Sequence, residues 1–190
     1  EQLKFNQQQV MDALTRIGKE ELPECTPIDG SRNIWNYRNK LEFTFSNRRW
    51  IEEGEDPDAI PEKERQGLGF HVGRFFDKVL DIEHCHLQAS PSNEIRLFIK
   101  NYAFEHDLPF FDIRNHEGFL RNMIIRTTEK GNVMLIIVFW HEDVKAREAL
   151  LDAVLAQFPM ISSLYYVINS KMNDSIGDQE CMLYSGDEAI

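Results

Sequence analysis

Polar and apolar side chains alternate from Tyr37 to Ser46. Tyr37, Asn39, Leu41, Phe43 and Phe45 fall on one side, and Arg38, Lys40, Glu42, Thr44 and Ser46 on the other. A period of two is that of a strand with one buried face, so this segment predicts a first strand that ends near Trp50. Residues 67–72 pair with it in this reading, and residues 79–82 add a third strand. Between them, residues 51–66 form an acidic loop holding Pro57 and Pro61, expected to be a mobile, solvated insertion. Ahead of the strand, Leu3, Val10, Leu14 and Ile17, joined by Met11, recur at helical spacing, and Gly18 stands where a C-terminal cap belongs. The prolines at 23 and 27 punctuate a linker. Residues 1–22 are therefore read as a helix with its linker and 23–190 as one domain.

Further along, Ser90-Pro91 predicts a helix start, with Ser as N-cap and Pro at the first helical position. Ile95, Phe98, Ile99 and Tyr102 supply its buried stripe, and Leu108-Pro109 ends it. Strands over 119–127 and 133–140 flank a turn at residues 129–132 and make a hairpin. The second strand is apolar throughout, which requires cover on both faces. A helix over 143–158 is expected to bury Val144, Leu151, Val154, Leu155 and Phe158, followed by strands at 164–169 and near 182–184. The fold class is α+β: a mostly antiparallel sheet with helices packed on one side, plus an N-terminal helix. No GxGxxG turn marks a nucleotide-binding half.

At 190 residues, 42% hydrophobic and 28% charged, the composition is that of a globular chain. No apolar run reaches the roughly 20 residues of a membrane span, the first residues have no signal-peptide pattern, and the cytoplasm is the expected location. The missing initial Met fits an excised piece of a longer protein. Three widely spaced cysteines, Cys25, Cys85 and Cys181, argue against a disulfide framework. The net charge of −11 is the wrong sign for a free-standing nucleic-acid binder, an objection that weakens if the chain is one wall of a more basic enzyme.

Cys85 is the sharpest chemical candidate. Its plain reading is an inert buried thiol. His84 and His86 beside it suggest a metal site, but neighbours on an extended chain point to opposite faces, so the three do not converge. Arg38 and Lys40 are either a solvated charged face or phosphate contacts. Arg74 and Arg121 join them as candidate RNA contacts, with Arg48, Arg49, Lys78 and Arg126 extending the surface if the hairpins align. Trp35, Tyr37, Trp50 and Phe75 are available to stack on unpaired bases. His71, His106, His116 and His141 are read as structural or surface residues, and Asp77, Asp81 and Glu83 as satisfied or solvated carboxylates.

The run YRNKLEFTF at 37–45, then GLGFHVGRFFDKVLDIEHCHLQ at 67–88, resembles the central region of bacterial RNA (uracil-5-)-methyltransferases of the RumA type. GFLRNMIIR at 118–126 and ISSLYYVIN at 161–169 agree, so the resemblance covers about residues 1–186. It implies a parent enzyme that moves a methyl group from S-adenosylmethionine to C5 of a uridine, in 23S ribosomal RNA. In that family a cysteine thiolate of the C-terminal domain adds to C6 and a carboxylate later removes the C5 proton. None of those groups lies in this sequence, so the chain alone is expected to be inactive. The resemblance also makes Cys85 the fourth ligand of a [4Fe–4S] cluster whose other three cysteines precede residue 1. With one thiolate, the chain by itself is expected to lack the cluster. Residues 1–22 would dock on the methyltransferase domain, and Cys25 and Cys181 would be structural. The rival readings are a transfer-RNA enzyme of the same superfamily and a stand-alone, non-catalytic interaction domain.

Overall fold

The structure, a computed structural model, describes residues 1–190. They form two compact units, Glu1–Trp35 and Asn36–Ile190; the expected boundary after residue 22 falls inside the first. No helix is long and apolar enough to cross a membrane.

In the first unit, helix α1 (Gln2–Asp12) runs into a π-helical turn at Ala13–Ile17. Gly18 takes the C-cap position but stays right-handed, at φ −70. The left-handed residue is Lys19, at φ 55, where Glu20 N–H reaches the Leu14 carbonyl. The Gln7 amide clamps the returning chain, donating to Thr26 O at 3.1 Å and accepting from Ile28 N at 3.1 Å. Leu3, Val10, Leu14 and Ile17 are all exposed and Met11 is half-buried, so most of the predicted apolar stripe faces solvent.

The second unit is a seven-stranded sheet in the order β3-β2-β1-β4-β5-β6-β7, made of β1 (Lys40–Ser46), β2 (Gly67–Val72), β3 (Phe75–Leu80), β4 (Leu120–Thr127), β5 (Val133–Phe139), β6 (Ile161–Ile168) and β7 (Met182–Gly186). Every pairing is antiparallel except β5 with β6, the two strands joined through α3 (Val144–Gln157). Register puts Leu41 opposite Ile125 and Phe43 opposite Met123, and those beside Leu135 and Ile137. This face shares one core with Ile95, Ile99 and Ala103 of α2 (Ser92–Glu105) and with Leu150, Leu151 and Val154 of α3. Burial of that many branched and aromatic side chains is the main favourable term in folding. The α+β class and mostly antiparallel sheet are as the sequence predicts.

Several local expectations are corrected. β1 opens at Lys40, not Tyr37; Asn36 N–H and Arg38 N–H bond to His86 O and Leu87 O instead, which leaves Tyr37 exposed. Ser90 is not the cap of α2. Pro91 holds that position, its carbonyl accepting Ile95 N–H at 3.0 Å, while the Ser90 hydroxyl bonds to Glu94. Asp143 does cap α3, its carboxylate accepting Ala146 N–H at 3.0 Å, but Val144 is exposed because it opens the helix on its outer side. The acidic loop is exposed yet tied down. Glu55 makes a two-point ion pair with Arg49 at 2.9 and 2.6 Å, and Arg65 donates to Ile60 O and Pro57 O.

Candidate nucleic-acid interface and cluster ligand

Cys85 lies in the irregular segment between β3 and α2, and the start of α2 fixes it. The Asn93 side chain grips the Cys85 backbone at both ends, Oδ1 accepting its N–H at 2.9 Å and Nδ2 donating to its carbonyl at 3.1 Å. Gln88, three residues on, reaches β4 through Ile125 O and Thr127 Oγ1 and accepts from the Ser92 hydroxyl. Cys85 is buried, while His84 and His86 are exposed with ring centroids 4.4 Å apart. The two imidazoles share a side and the thiol takes the other, as alternation requires.

Arg96, one turn along α2, is fully buried. Its guanidinium donates to Leu68 O at 3.1 Å, Glu83 O at 3.0 Å and the same Asn93 Oδ1 at 3.4 Å, and its Nε has no partner. Burial pushes its pKa down, against the fields of Asp81 and Cys85. A buried cation held by neutral carbonyls calls for a nearby anion, and Asp81 exerts the larger of the two fields that favour its charge. No group of three or more His, Cys, Asp or Glu is placed to hold a metal ion. Cys25 and Cys181, expected to be structural, are exposed.

The basic residues divide between the two ends of β1. At its N-terminal end Lys40 sits opposite Arg126 in the register, Arg38 precedes them, and a groove of about 410 Å³ is lined by Arg38, Lys40, Leu41, Glu42, Phe70 and Leu87. Arg74, at φ 72, sits in the turn between β2 and β3. Arg38, Lys40, Arg74 and Arg126 are all exposed. Beyond the other end lie Arg48, Arg49 and Lys78, near the bridge between Arg49 and Val79. Arg49 is spent on Glu55, and Lys78 stands over the rings of Trp50 and Phe75 at 5.3 and 5.5 Å.

Arg121 departs from the expected surface. A bulge between Leu120 and Asn122 sends it inward, where it is 1% exposed. It donates to Asn169 O and Lys171 O, both at 2.7 Å, and to Asp174 at 2.9 Å, and it stacks against Phe111 and Trp140. Each guanidinium nitrogen but Nε has a partner, so Arg121 staples the segment after β6 and presents nothing to solvent.

Sequence reasoning missed Arg96 and Asn93. Arg96 falls within the stripe of Ser92, Ile95, Ile99 and Ala103 that α2 buries, and a cation at an apolar position was the available signal. Arg114 was missed as well; it sits in an irregular loop with no periodicity to place it. The carboxylates Asp81 and Glu83 behave as read. Asp81 pairs with Lys100 and accepts Leu68 N–H, and Glu83 is exposed.

No protein-family model matches the chain. It is 56% identical to an "Uncharacterized RNA methyltransferase" of Porphyromonas gingivalis, across 100% of this chain and 42% of that protein. With one of the same description from Bacteroides thetaiotaomicron it shares 45% identity over 98% of this chain and 42% of the relative. Among solved structures it is similar to the Pyrococcus abyssi tRNA (uracil-54, C5)-methyltransferase in complex with S-adenosyl-L-homocysteine. That likeness has a TM-score of 0.65 at 25% identity and covers 100% of this chain and 38% of that one. The chain thus spans about two fifths of the length of the relatives it matches, and along its whole length it is related to a segment of a bacterial family described as RNA methyltransferases.

Proposed function

We propose that the chain is the central segment of a longer enzyme that transfers a methyl group from S-adenosylmethionine to C5 of a uridine in RNA, with 23S ribosomal RNA as the substrate. The observation that carries this reading is the whole-chain likeness to proteins described as RNA methyltransferases together with the fold likeness to a uracil-C5 enzyme. The nucleophilic cysteine and the proton-abstracting carboxylate belong to sequence outside these residues, as does the S-adenosylmethionine site. This segment holds the RNA so that the target uridine leaves its stack. Arg38, Lys40 and Arg74 contact phosphates, which position the RNA without reading its sequence. The uncovered stripe of α1 packs on the methyltransferase part of the same chain.

Cys85 supplies one thiolate to a [4Fe–4S] cluster, which needs four. Burial of Cys85, its two-point fixation by Asn93 and the buried Arg96 beside it all suit an anionic sulfur ligand. Such a cluster would cross-link this segment to the three further cysteines that complete it.

A second reading, a transfer-RNA substrate, is favoured by the printed substrate of the Pyrococcus enzyme. The full-length protein, given S-adenosylmethionine and RNA carrying tritium at uridine C5, separates the two. Release of tritium from 23S ribosomal RNA and none from transfer RNA is expected. Release from transfer RNA alone establishes the second reading, and release from neither contradicts uracil-C5 chemistry.

A further inference from the structure

Two arginines from distant parts of the chain converge on one buried carboxylate. Asp77, in β3, is 4% exposed; its Oδ2 accepts Arg114 Nε at 2.6 Å and lies 3.7 Å from Arg48 Nη1. Asp77 and the neighbouring Asp112 formally balance the two guanidinium charges, so what the pair offers a phosphate is exposed N–H donors. Both arginines keep their side chains about half exposed, at 47% and 49%. Arg114 meets Asp77 through Nε, so that bond uses neither of its Nη groups.

The mounting is rigid. Asp112 Oδ1 accepts the backbone N–H of Arg114 at 2.8 Å and of Asn115 at 3.1 Å. Its Oδ2 accepts from the Asn47 and Asn115 side chains at 2.8 and 2.9 Å. On the other side the Ser46 hydroxyl accepts Arg48 N–H at 3.0 Å and reaches Asp77 O at 3.2 Å, while Arg48 O takes Val79 N–H at 3.2 Å. Ordering costs that a ligand would otherwise impose are largely met before it arrives.

Beside this pair the surface turns aromatic. Phe76 is 62% exposed, with the Arg114 guanidinium 5.3 Å from its ring centroid. An aromatic ring left in water beside two arginines suits a ligand with a flat apolar face and a negative backbone. Unpaired RNA has both. β1 is seven residues long, about 23 Å at strand rise, and Arg38 and Lys40 lie at its opposite end, so this is a separate contact.

We propose that Arg48 and Arg114, mounted on Asp77, bind a phosphate of unpaired RNA while Phe76 stacks on an adjacent base. The proposal rests on the RNA reading above and adds a second contact at the far end of β1.

The test is binding of the full-length protein to a fluorescent RNA hairpin with an unpaired loop, and to a fully paired duplex, across a range of salt. Arg48→Gln with Arg114→Gln should weaken hairpin binding at least tenfold and lower the slope of log affinity against log salt by about 0.7, the value for one phosphate contact on a single strand. Phe76→Ala should weaken hairpin binding about fivefold or more, the scale of one lost stack, and leave duplex binding unchanged. Phe76 is exposed, so its truncation spares the core and keeps the test open should the arginine variant fold poorly. Lys145→Gln, on the exposed side of α3, controls for loss of charge. Unchanged hairpin affinity in Phe76→Ala, or an equal loss in Lys145→Gln, overturns the proposal. A wild type that binds neither RNA overturns the RNA reading itself, whereas a wild type that binds with unaffected variants removes this contact alone.

Discussion

Asp77 joins three segments, and its titration gives a direct handle on what it does. The hydrogen bond from Arg114 is the main reason its pKa lies below the ordinary carboxylate value, with the charges of Arg114 and Arg48 adding to it. A depressed folded-state pKa contributes stability above the unfolded value, near 3.8, and that contribution is lost as pH falls through the lower folded value. Asp112 is low for a related reason: burial would raise it, but the backbone N–H groups of Asn115 and Arg114 and the Asn47 side chain outweigh burial. Asp77→Asn should therefore melt lower than wild type near neutral pH, with the gap narrowing as pH drops below about 4. Thermal melts at stepped pH would show this, and parallel curves would deny Asp77 the role. The gain is modest because both arginines are half exposed and screened by water. At this scale the sequence was uneven as a guide. Cys85 was legible from its flanking pattern, since alternation separates it from His84 and His86. Arg121 was not, because a one-residue bulge in β4 reverses its direction and no local residue announces it.

At the level of elements, strands were found wherever alternation or an apolar run was strong, and their ends were found less well. β1 begins late because Asn36, at φ 54, turns the chain so that residues 36–38 bond to residues 86–87 before joining β4. β3 begins at Phe75, ahead of the expected residue 79, because the exposed phenylalanines there break the apolar pattern that marks a buried strand. Close backbone approach was equally invisible. A Cβ on Gly69 would lie 1.8 Å from Leu80 O on β3, so only glycine lets β2 and β3 meet there. At Gly118 the reason is double, a φ of 111 and a Cβ 2.5 Å from Phe110 O. Gly69→Ala should cost about 3 kcal/mol, which lowers Tm by roughly 6–12 °C for a chain of this size. A Tm within about 2 °C of wild type would mean that β3 yields without cost. The Phe76 ring would then be less firmly held than the RNA contact requires.

For the whole molecule, the formal charge of −11 opposes RNA binding only as an average. Acidic residues gather in the loop at 51–66, where Glu55 is held down to about 2 chiefly by its hydrogen bond to Arg49 and also by that of Glu52 N–H. Several exposed cations, among them Arg38, Lys40, Arg126 and Arg48, flank β1. Composition reports the sum and misses that separation, which appears only once register aligns Lys40 with Arg126. The likeness to longer RNA methyltransferases concerns a parent protein. What belongs to this chain is Cys85, with Asn93 across its backbone and Arg96 as a buried cation, the residue proposed above as one thiolate ligand of a cluster. The most direct measurement is iron and acid-labile sulfide in the full-length protein, purified without oxygen, for wild type, Cys85→Ser, Cys25→Ser and Cys181→Ser. About four irons per chain are expected in wild type and in the Cys25 and Cys181 variants, with a clear loss in Cys85→Ser alone. Wild-type iron in Cys85→Ser, or no iron in any of the four, would contradict the assignment and leave Cys85 a buried structural thiol.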